Sequence, residues 1–137
     1  MRKNEWGTTG NAVYELNYHI VWSVKSRRQV LCSPVDQLAK SVLRKICAEK
    51  GLKLLGLEVM QDHIHIFLSA PPRVSPSTIV KWLRGRSAYE IFKSHPDIKH
   101  QLWKGHLWDP SYYVGTVGHV SSETIRRYIE QQKTRDW

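Results

Sequence analysis

The run Asp62-His63-Ile64-His65-Ile66-Phe67-Leu68-Ser69 constrains this chain more than any other stretch. Side chains alternate faces along a strand. His63, His65 and Phe67 therefore share one face, and Ile64, Ile66 and Leu68 take the other. The aliphatic trio demands a hydrophobic layer beneath it, so the segment has to sit in a sheet with one face packed on a core. The two imidazoles lie ~7 Å apart along the backbone at the strand rise, close enough to tilt towards one metal ion. Such a pair is also compatible with a solvated or hydrogen-bonded surface, and a metal site needs a third ligand.

A second group of candidates lies near the C-terminus. Ser121 is a good N-cap, Glu123 suits the positive end of a helix, and Ile125 and Ile129 mark an apolar stripe. On that helix Tyr128 and Gln132 stand one turn apart on the same face, with Arg126 and Arg127 immediately before the tyrosine. Packing of Tyr128 beside the isoleucines, with Gln132 in water, is the structural alternative.

The chain has 137 residues, 41% of them hydrophobic, which suits one domain over residues 1–137 with one modest core. No apolar run approaches the ~20 residues that span a bilayer, and the basic N-terminus lacks a signal peptide's apolar segment. The expected location is the cytoplasm, with no membrane partner. Cys32 and Cys47 have no zinc-type spacing and read as ordinary thiols. The net charge of +9 and pI of 9.8 point to a polyanionic partner, nucleic acid before membrane. Six Trp and six Tyr add flat surfaces on which unpaired bases could stack, although most of them belong in a core.

Residues 1–10 are polar and read as a loose arm. Ala12 to Lys25 is rich in Val, Tyr, Trp and Ile and reads as one strand, followed by a basic turn with Lys25, Arg27 and Arg28. Ser33 and Pro34 signal a helix start. Val35, Leu38, Ala39, Val42, Leu43, Ile46 and Cys47 then recur at helical spacing up to Gly51. Lys53 to Met60 and His63 to Ala70 form a hairpin around Gln61 and Asp62. Ser75-Pro76 opens a second helix to about Ser94, with Lys81, Arg84, Arg86 and Lys93 outside. Gly85 lies within that helix, where a bend or a close approach would explain it. Residues 95–110 read as irregular, Ser111 to Val117 as a last strand, and Gly115 and Gly118 as a hinge before the final helix.

Strand, helix, strand, strand, helix, strand, helix is an α+β order. Without its last helix it is the ferredoxin-like pattern, an antiparallel sheet with helices on one face. The histidine pair falls on a central strand, and the opposite face is left for a site or a partner.

Several segments together resemble one family. Tyr18-His19-Ile20-Val21-Trp22, Asp62 to His65, Ser69-Ala70-Pro71-Pro72, Ser75-Pro76, Leu107 to Val114 and the closing Tyr128 to Gln132 are similar, in order and spacing, to the single-tyrosine HUH transposases of the smallest insertion sequences. The resemblance implies an extra C-terminal helix carrying the nucleophile. It implies that Tyr128 attacks single-stranded DNA at element ends, giving a 5′-phosphotyrosine and a free 3′-hydroxyl that can later reverse the step. It implies magnesium or manganese at His63, His65 and Gln132, with Asp62 supporting them from behind or adding a ligand. It also implies recognition of DNA hairpins, and a homodimer in which one subunit's tyrosine helix completes the partner's metal site. Lys25, Arg27, Arg28, Lys81, Arg84, Arg86, Arg126 and Arg127 are the candidates for DNA contact. His19, His95, His100, His106 and His119 receive no role. The alternatives are a non-catalytic ferredoxin-like nucleic-acid-binding module, a related HUH nuclease acting on chromosomal repeats, and a metal nuclease that uses water.

Overall fold

The computed structural model describes residues 7–9, 12–14, 16–118 and 127. Its main sheet has four strands: β3 (Asn17–Ser23), β4 (Lys53–Val59), β5 (His63–Ser69) and β6 (Tyr113–Val117). They lie in the order β4-β5-β3-β6, with every neighbouring pair antiparallel. The two central strands are therefore β5 and β3, as the ferredoxin-like order requires. Helices α1 (Val35–Glu49) and α2 (Pro76–Ser94) cover one face.

The alternation in β5 decides which face that is. Ile64, Ile66 and Leu68 are fully buried, and they join Ile20 and Trp22 of β3 in the cluster that also contains Ala39, Leu43 and Ile46 of α1 and Ile79, Leu83 and Ile91 of α2. Each such Leu or Ile contributes roughly 1.5–3 kcal/mol by leaving water. Cys47 sits among them, and burial pushes its thiol up to about 11, while Cys32 is exposed.

Local chemistry sets the helix ends. Ser75 caps α2, its hydroxyl accepting from the Thr78 amide at 3.2 Å, with Pro76 in the first turn. Gly51, at φ 69°, turns the chain out of α1 in a left-handed conformation that costs glycine nothing. Ser33 does not cap α1, whose flanking residue is Pro34 with no side-chain capping bond.

Several boundaries differ from expectation. The long first strand is divided, because Ala12–Tyr14 (β2) pairs with Gly7–Thr9 (β1) in a separate two-stranded ribbon, placing paired backbone where a loose arm was expected. The stretch after α2 is not wholly irregular: Pro96, at a first-turn position, starts a short helix α3 (Pro96–Gln101) that buries Ile98. Gly115 is not a hinge residue, since it lies inside β6 opposite His19. Nor does Gly85 mark a close approach, as a Cβ there would have nothing within 4 Å. The expected C-terminal helix falls outside the described residues except for Arg127, which is helical and exposed. Among the described residues no helix is long and apolar enough to cross a membrane.

Candidate active site

The face of β5 away from the helices carries His63, His65 and Phe67, and register completes the cluster. Phe67 pairs with His19, His65 with Val21, and His63 with Ser23. His19 therefore enters the same face, where its ring stacks on Phe67 at 4.3 Å between centroids and 1° between planes. The His65 ring lies 5.3 Å from that of His19 between centroids and 13° from parallel, and Tyr113 of β6 stands at 67° to it with centroids 5.6 Å apart. The histidine face is consequently not open: His65 is 0%, His19 1% and His63 5% exposed.

A chain of hydrogen bonds crosses this cluster. Arg27 Nε donates to Asp62 Oδ2 at 2.9 Å, and His63 Nδ1 donates to Asp62 Oδ1 at 2.6 Å. His63 Nε2 faces His65 Nε2 at 3.1 Å, and His65 Nδ1 faces His19 Nε2 at 3.1 Å. Backbone bonds bring the two ends of the Arg27–Asp62 pair together. The Val24 amide donates to the Asp62 carbonyl and the Leu31 amide to the Gln61 carbonyl, so the turn after β3 lies against the β4–β5 turn. Ser26 and Arg27 hold φ of 57° and 54°, a left-handed conformation uncommon outside glycine, and this places the guanidinium against the carboxylate.

Burial keeps two of these imidazoles, His65 and His19, neutral. Desolvation lowers His65 to about 3, with help from the charges of His63 and His19, and desolvation alone lowers His19 to about 4. Both rings are therefore neutral near pH 7, and a neutral ring is the form in which an imidazole can bind a metal. At Asp62 burial works against the charge, but the hydrogen bonds from His63 and Arg27 outweigh it and hold the carboxyl below its usual range.

Two Nε2 atoms 3.1 Å apart match two adjacent corners of an octahedron with ligand bonds of about 2.1 Å, whose edge is about 3 Å. The donor set and the geometry fit a divalent ion. The Asp62–His63 bond is the carboxylate–imidazole pairing that commonly orients metal-binding histidines. Among the described residues no group of three His, Cys, Asp or Glu side chains is arranged to hold a metal ion, so an ion at the His63–His65 pair would need a ligand of another type or one from outside the described residues. Gln132, the ligand expected there, and Tyr128 both lie outside the described residues, as does Arg126.

The expected DNA-contacting residues divide. Arg28 and Lys81 are exposed and Lys25 is half-buried. Arg27 is engaged with Asp62, and Arg86 with Glu49. Arg84 donates Nη1 to the carbonyls of Asp109, Pro110 and Ser111 at 3.0, 3.2 and 3.4 Å, and its guanidinium lies 5.5 Å from the Tyr112 ring centre. It braces the loop before β6, and burial lowers its pKa. Trp108 secures the same loop, its indole donating to the Arg84 carbonyl at 3.0 Å and its ring packing edge-on to Trp22. Between α2 and this loop lies a cleft of 380 Å³, with Lys81, Arg84, His106 and Tyr112 among its walls.

Sequence reasoning missed His19. The period of two puts His19, Val21 and Ser23 on one face of β3, but only the β3–β5 register shows that this face is shared with His63 and His65.

The chain is similar to known proteins over most of its length. Residues 12–132 match the family described as "Transposase IS200 like". The ISDra2 transposase TnpA of Deinococcus radiodurans is 44% identical over 124 residues, covering 90% of this chain and 89% of that protein. The transposase for insertion sequence element IS200 of Salmonella typhimurium is 34% identical, covering 90% and 80%. Among solved structures, a candidate transposase from Deinococcus radiodurans R1 superposes with a TM-score of 0.77 at 41% identity, over 92% of this chain and 97% of that one. A REP-associated tyrosine transposase bound to a REP hairpin shares the fold, with a TM-score of 0.58 at 12% identity over 90% and 69%. The chain belongs to the IS200-like transposases.

Proposed function

We propose that this transposase cuts and rejoins single-stranded DNA at insertion-sequence ends, with Tyr128 as nucleophile and a magnesium or manganese ion held by His63, His65 and Gln132. The observation that carries the reading is the 3.1 Å approach of the two Nε2 atoms, braced from behind by Asp62, in a chain whose family is that of transposases. A bound divalent ion supplies charge that polarises the scissile phosphate and lowers the cost of the departing oxygen.

The chain's own residues supply the rest. The Tyr128 hydroxyl loses its proton and its oxygen bonds to phosphorus, while the bond from phosphorus to the 3′ oxygen breaks. The products are a 5′-phosphotyrosine and a strand ending in a 3′-hydroxyl. Because the new linkage replaces one phosphodiester with another, a second 3′-hydroxyl can attack it, restore the DNA backbone and free Tyr128 without an external energy source. Asp62 keeps the proton of His63 on Nδ1, leaving Nε2 with its lone pair. Arg27 fixes the carboxylate for that task.

The net charge of +9 supports a nucleic-acid partner, and the exposed Arg28 and Lys81 with the half-buried Lys25 are proposed to meet phosphate. The hairpin bound by the REP-associated relative supports hairpin-bearing DNA as substrate. A homodimer in which one subunit's tyrosine helix completes the partner's metal site is part of the proposal.

The test is a strand-cleavage assay on single-stranded DNA carrying an element end, resolved on denaturing gels. Wild type with magnesium is expected to give a covalent protein–DNA adduct. Tyr128→Phe, or wild type with EDTA, is expected to give none. Cleavage by Tyr128→Phe without an adduct would assign the attack to water. Mixing Tyr128→Phe with His63→Ala/His65→Ala protein should restore adduct if sites are completed across subunits, and should not if each subunit is self-sufficient.

A further inference from the structure

The cleft between α2 and the loop before β6 has the size and the chemistry of a ligand site. Its 380 Å³ falls within the range of pockets that hold small molecules, roughly 300–1,000 Å³. Lys81, Gly85 and Ala88 recur at helical spacing and form its α2 wall, and Trp108 and Tyr112 stand on the loop side. Gly85 is a costly residue within a helix, and no part of the described protein approaches the place its side chain would take. That place belongs to the cleft, where the missing Cβ leaves room for a flat ring to lie against the helix backbone.

The charge and the rings select the ligand. Among the described residues the cleft is lined by Lys81 and Arg84 and by no carboxylate, in a chain of net charge +9. The Arg84 guanidinium is occupied by three loop carbonyls and lies 5.5 Å from the centre of the Tyr112 ring. It holds the loop and the ring in place, while Tyr112 stays 42% exposed. Lys81 is exposed, and its ammonium is a point charge suited to phosphate. Position ties the cleft to the histidine face. A second hollow of 270 Å³, walled in part by Val21, Ser23 and Tyr113, also borders Tyr112. Val21 pairs with both His65 and Tyr113, and Ser23 pairs with His63. Tyr112 therefore joins the cleft to the strand positions beside the imidazole pair. Tyr113 is two strands from His65, about 10 Å at sheet spacing.

We propose that this cleft receives one unpaired base of single-stranded DNA, stacked on Tyr112 over Gly85, with its phosphate at Lys81. The inference rests on the proposed strand cleavage and adds a place for a nucleotide near the cleaved bond. A strand engaged at His63 and His65 passes Tyr112 and turns that base off its path, which fixes the register of the strand at the site. Stacking on an aromatic ring accepts any base, so the cleft positions the strand without reading its sequence.

The experiment uses the full chain and single-stranded DNA carrying an element end, with 2-aminopurine placed at successive positions around the cut. Fluorescence quenching reports stacking, anisotropy gives affinity, and urea unfolding and manganese calorimetry report the rest of the molecule. One position is expected to be quenched by wild type. Gly85→Leu fills the cleft with a side chain that helices favour. It should abolish that quenching and weaken strand binding about 10-fold, with urea stability and manganese affinity no lower than wild type. Tyr112→Leu should have the same effect on quenching and affinity. Lys81→Gln should reduce the slope of log affinity against log salt by about 0.7, the share of one phosphate contact on a single strand. Quenching and affinity that survive Gly85→Leu, or an equal loss on a blunt duplex with no unpaired base, would overturn the inference. An unchanged salt slope in Lys81→Gln would overturn the phosphate contact. If either Gly85→Leu or Tyr112→Leu loses stability, the other decides. A wild-type protein that binds no single-stranded DNA would instead overturn the cleavage reading on which this one stands.

Discussion

Asp62 is where charge, hydrogen bonding and ligand geometry meet. Its carboxylate holds His63 by one oxygen and Arg27 by the other, so its loss frees the His63 ring to rotate and removes the preference for the Nδ1 proton. Asp62→Ala should lower manganese affinity about 10–100-fold, as measured by calorimetry, because orienting partners of ligand histidines act at that scale. The far-UV circular dichroism should not change, since Asp62 lies in a turn outside the core cluster. Arg84 makes the opposite case. Its guanidinium is occupied by three loop carbonyls, so its role in the described structure is to hold the segment leading into β6.

At the scale of elements, α2 carries two opposing contributions. Ser75→Ala removes the acceptor of the Thr78 amide and should cost about 1 kcal/mol in denaturant unfolding. Gly85→Ala should act in the other direction. A Cβ at Gly85 meets nothing within 4 Å, so the helix gains the lost propensity, about 0.5–1 kcal/mol, with no clash to offset it. A destabilised Gly85→Ala protein would mean that the glycine serves a contact made outside the described structure. The turns beside β5 show a different logic: Ser26 and Arg27 adopt left-handed backbone because the bonds that join the two turns hold them there.

Over the whole molecule, burying neutral histidines ties stability to pH. His19 is lowered from 6.5 to about 4 and His65 from 6.5 to about 3. Below pH 6.5 the unfolded chain binds protons that the folded chain refuses, so stability falls as pH falls. Metal-free protein should keep its full stability above about pH 6.5 and lose it progressively towards pH 4 and below. His19 alone accounts for on the order of 3 kcal/mol at 1.36 kcal/mol per unit. Urea unfolding from pH 7.5 to 4.5 measures the effect, and a flat profile would mean that the histidine face admits water and protons without unfolding.

The sequence by itself determined what depends on near neighbours along the chain. Alternation in β5 separated Ile64, Ile66 and Leu68 from His63 and His65, helical spacing placed Leu43 and Ile46 of α1 inward, and Ser75-Pro76 marked the start of α2. These are properties of strand pleat, helix pitch and capping, each complete within a few residues. Its motifs also carried the family resemblance that the comparisons confirm. Only the tertiary structure decided that His19 stands beside His65, that Arg27 reaches Asp62, and that Arg84 turns back to a loop instead of outward. Each of these pairs is joined by strand register or by turns distant in sequence, which are selected by packing of the whole sheet on its helices. Period can tell which face a residue takes, but not which residue it will meet there.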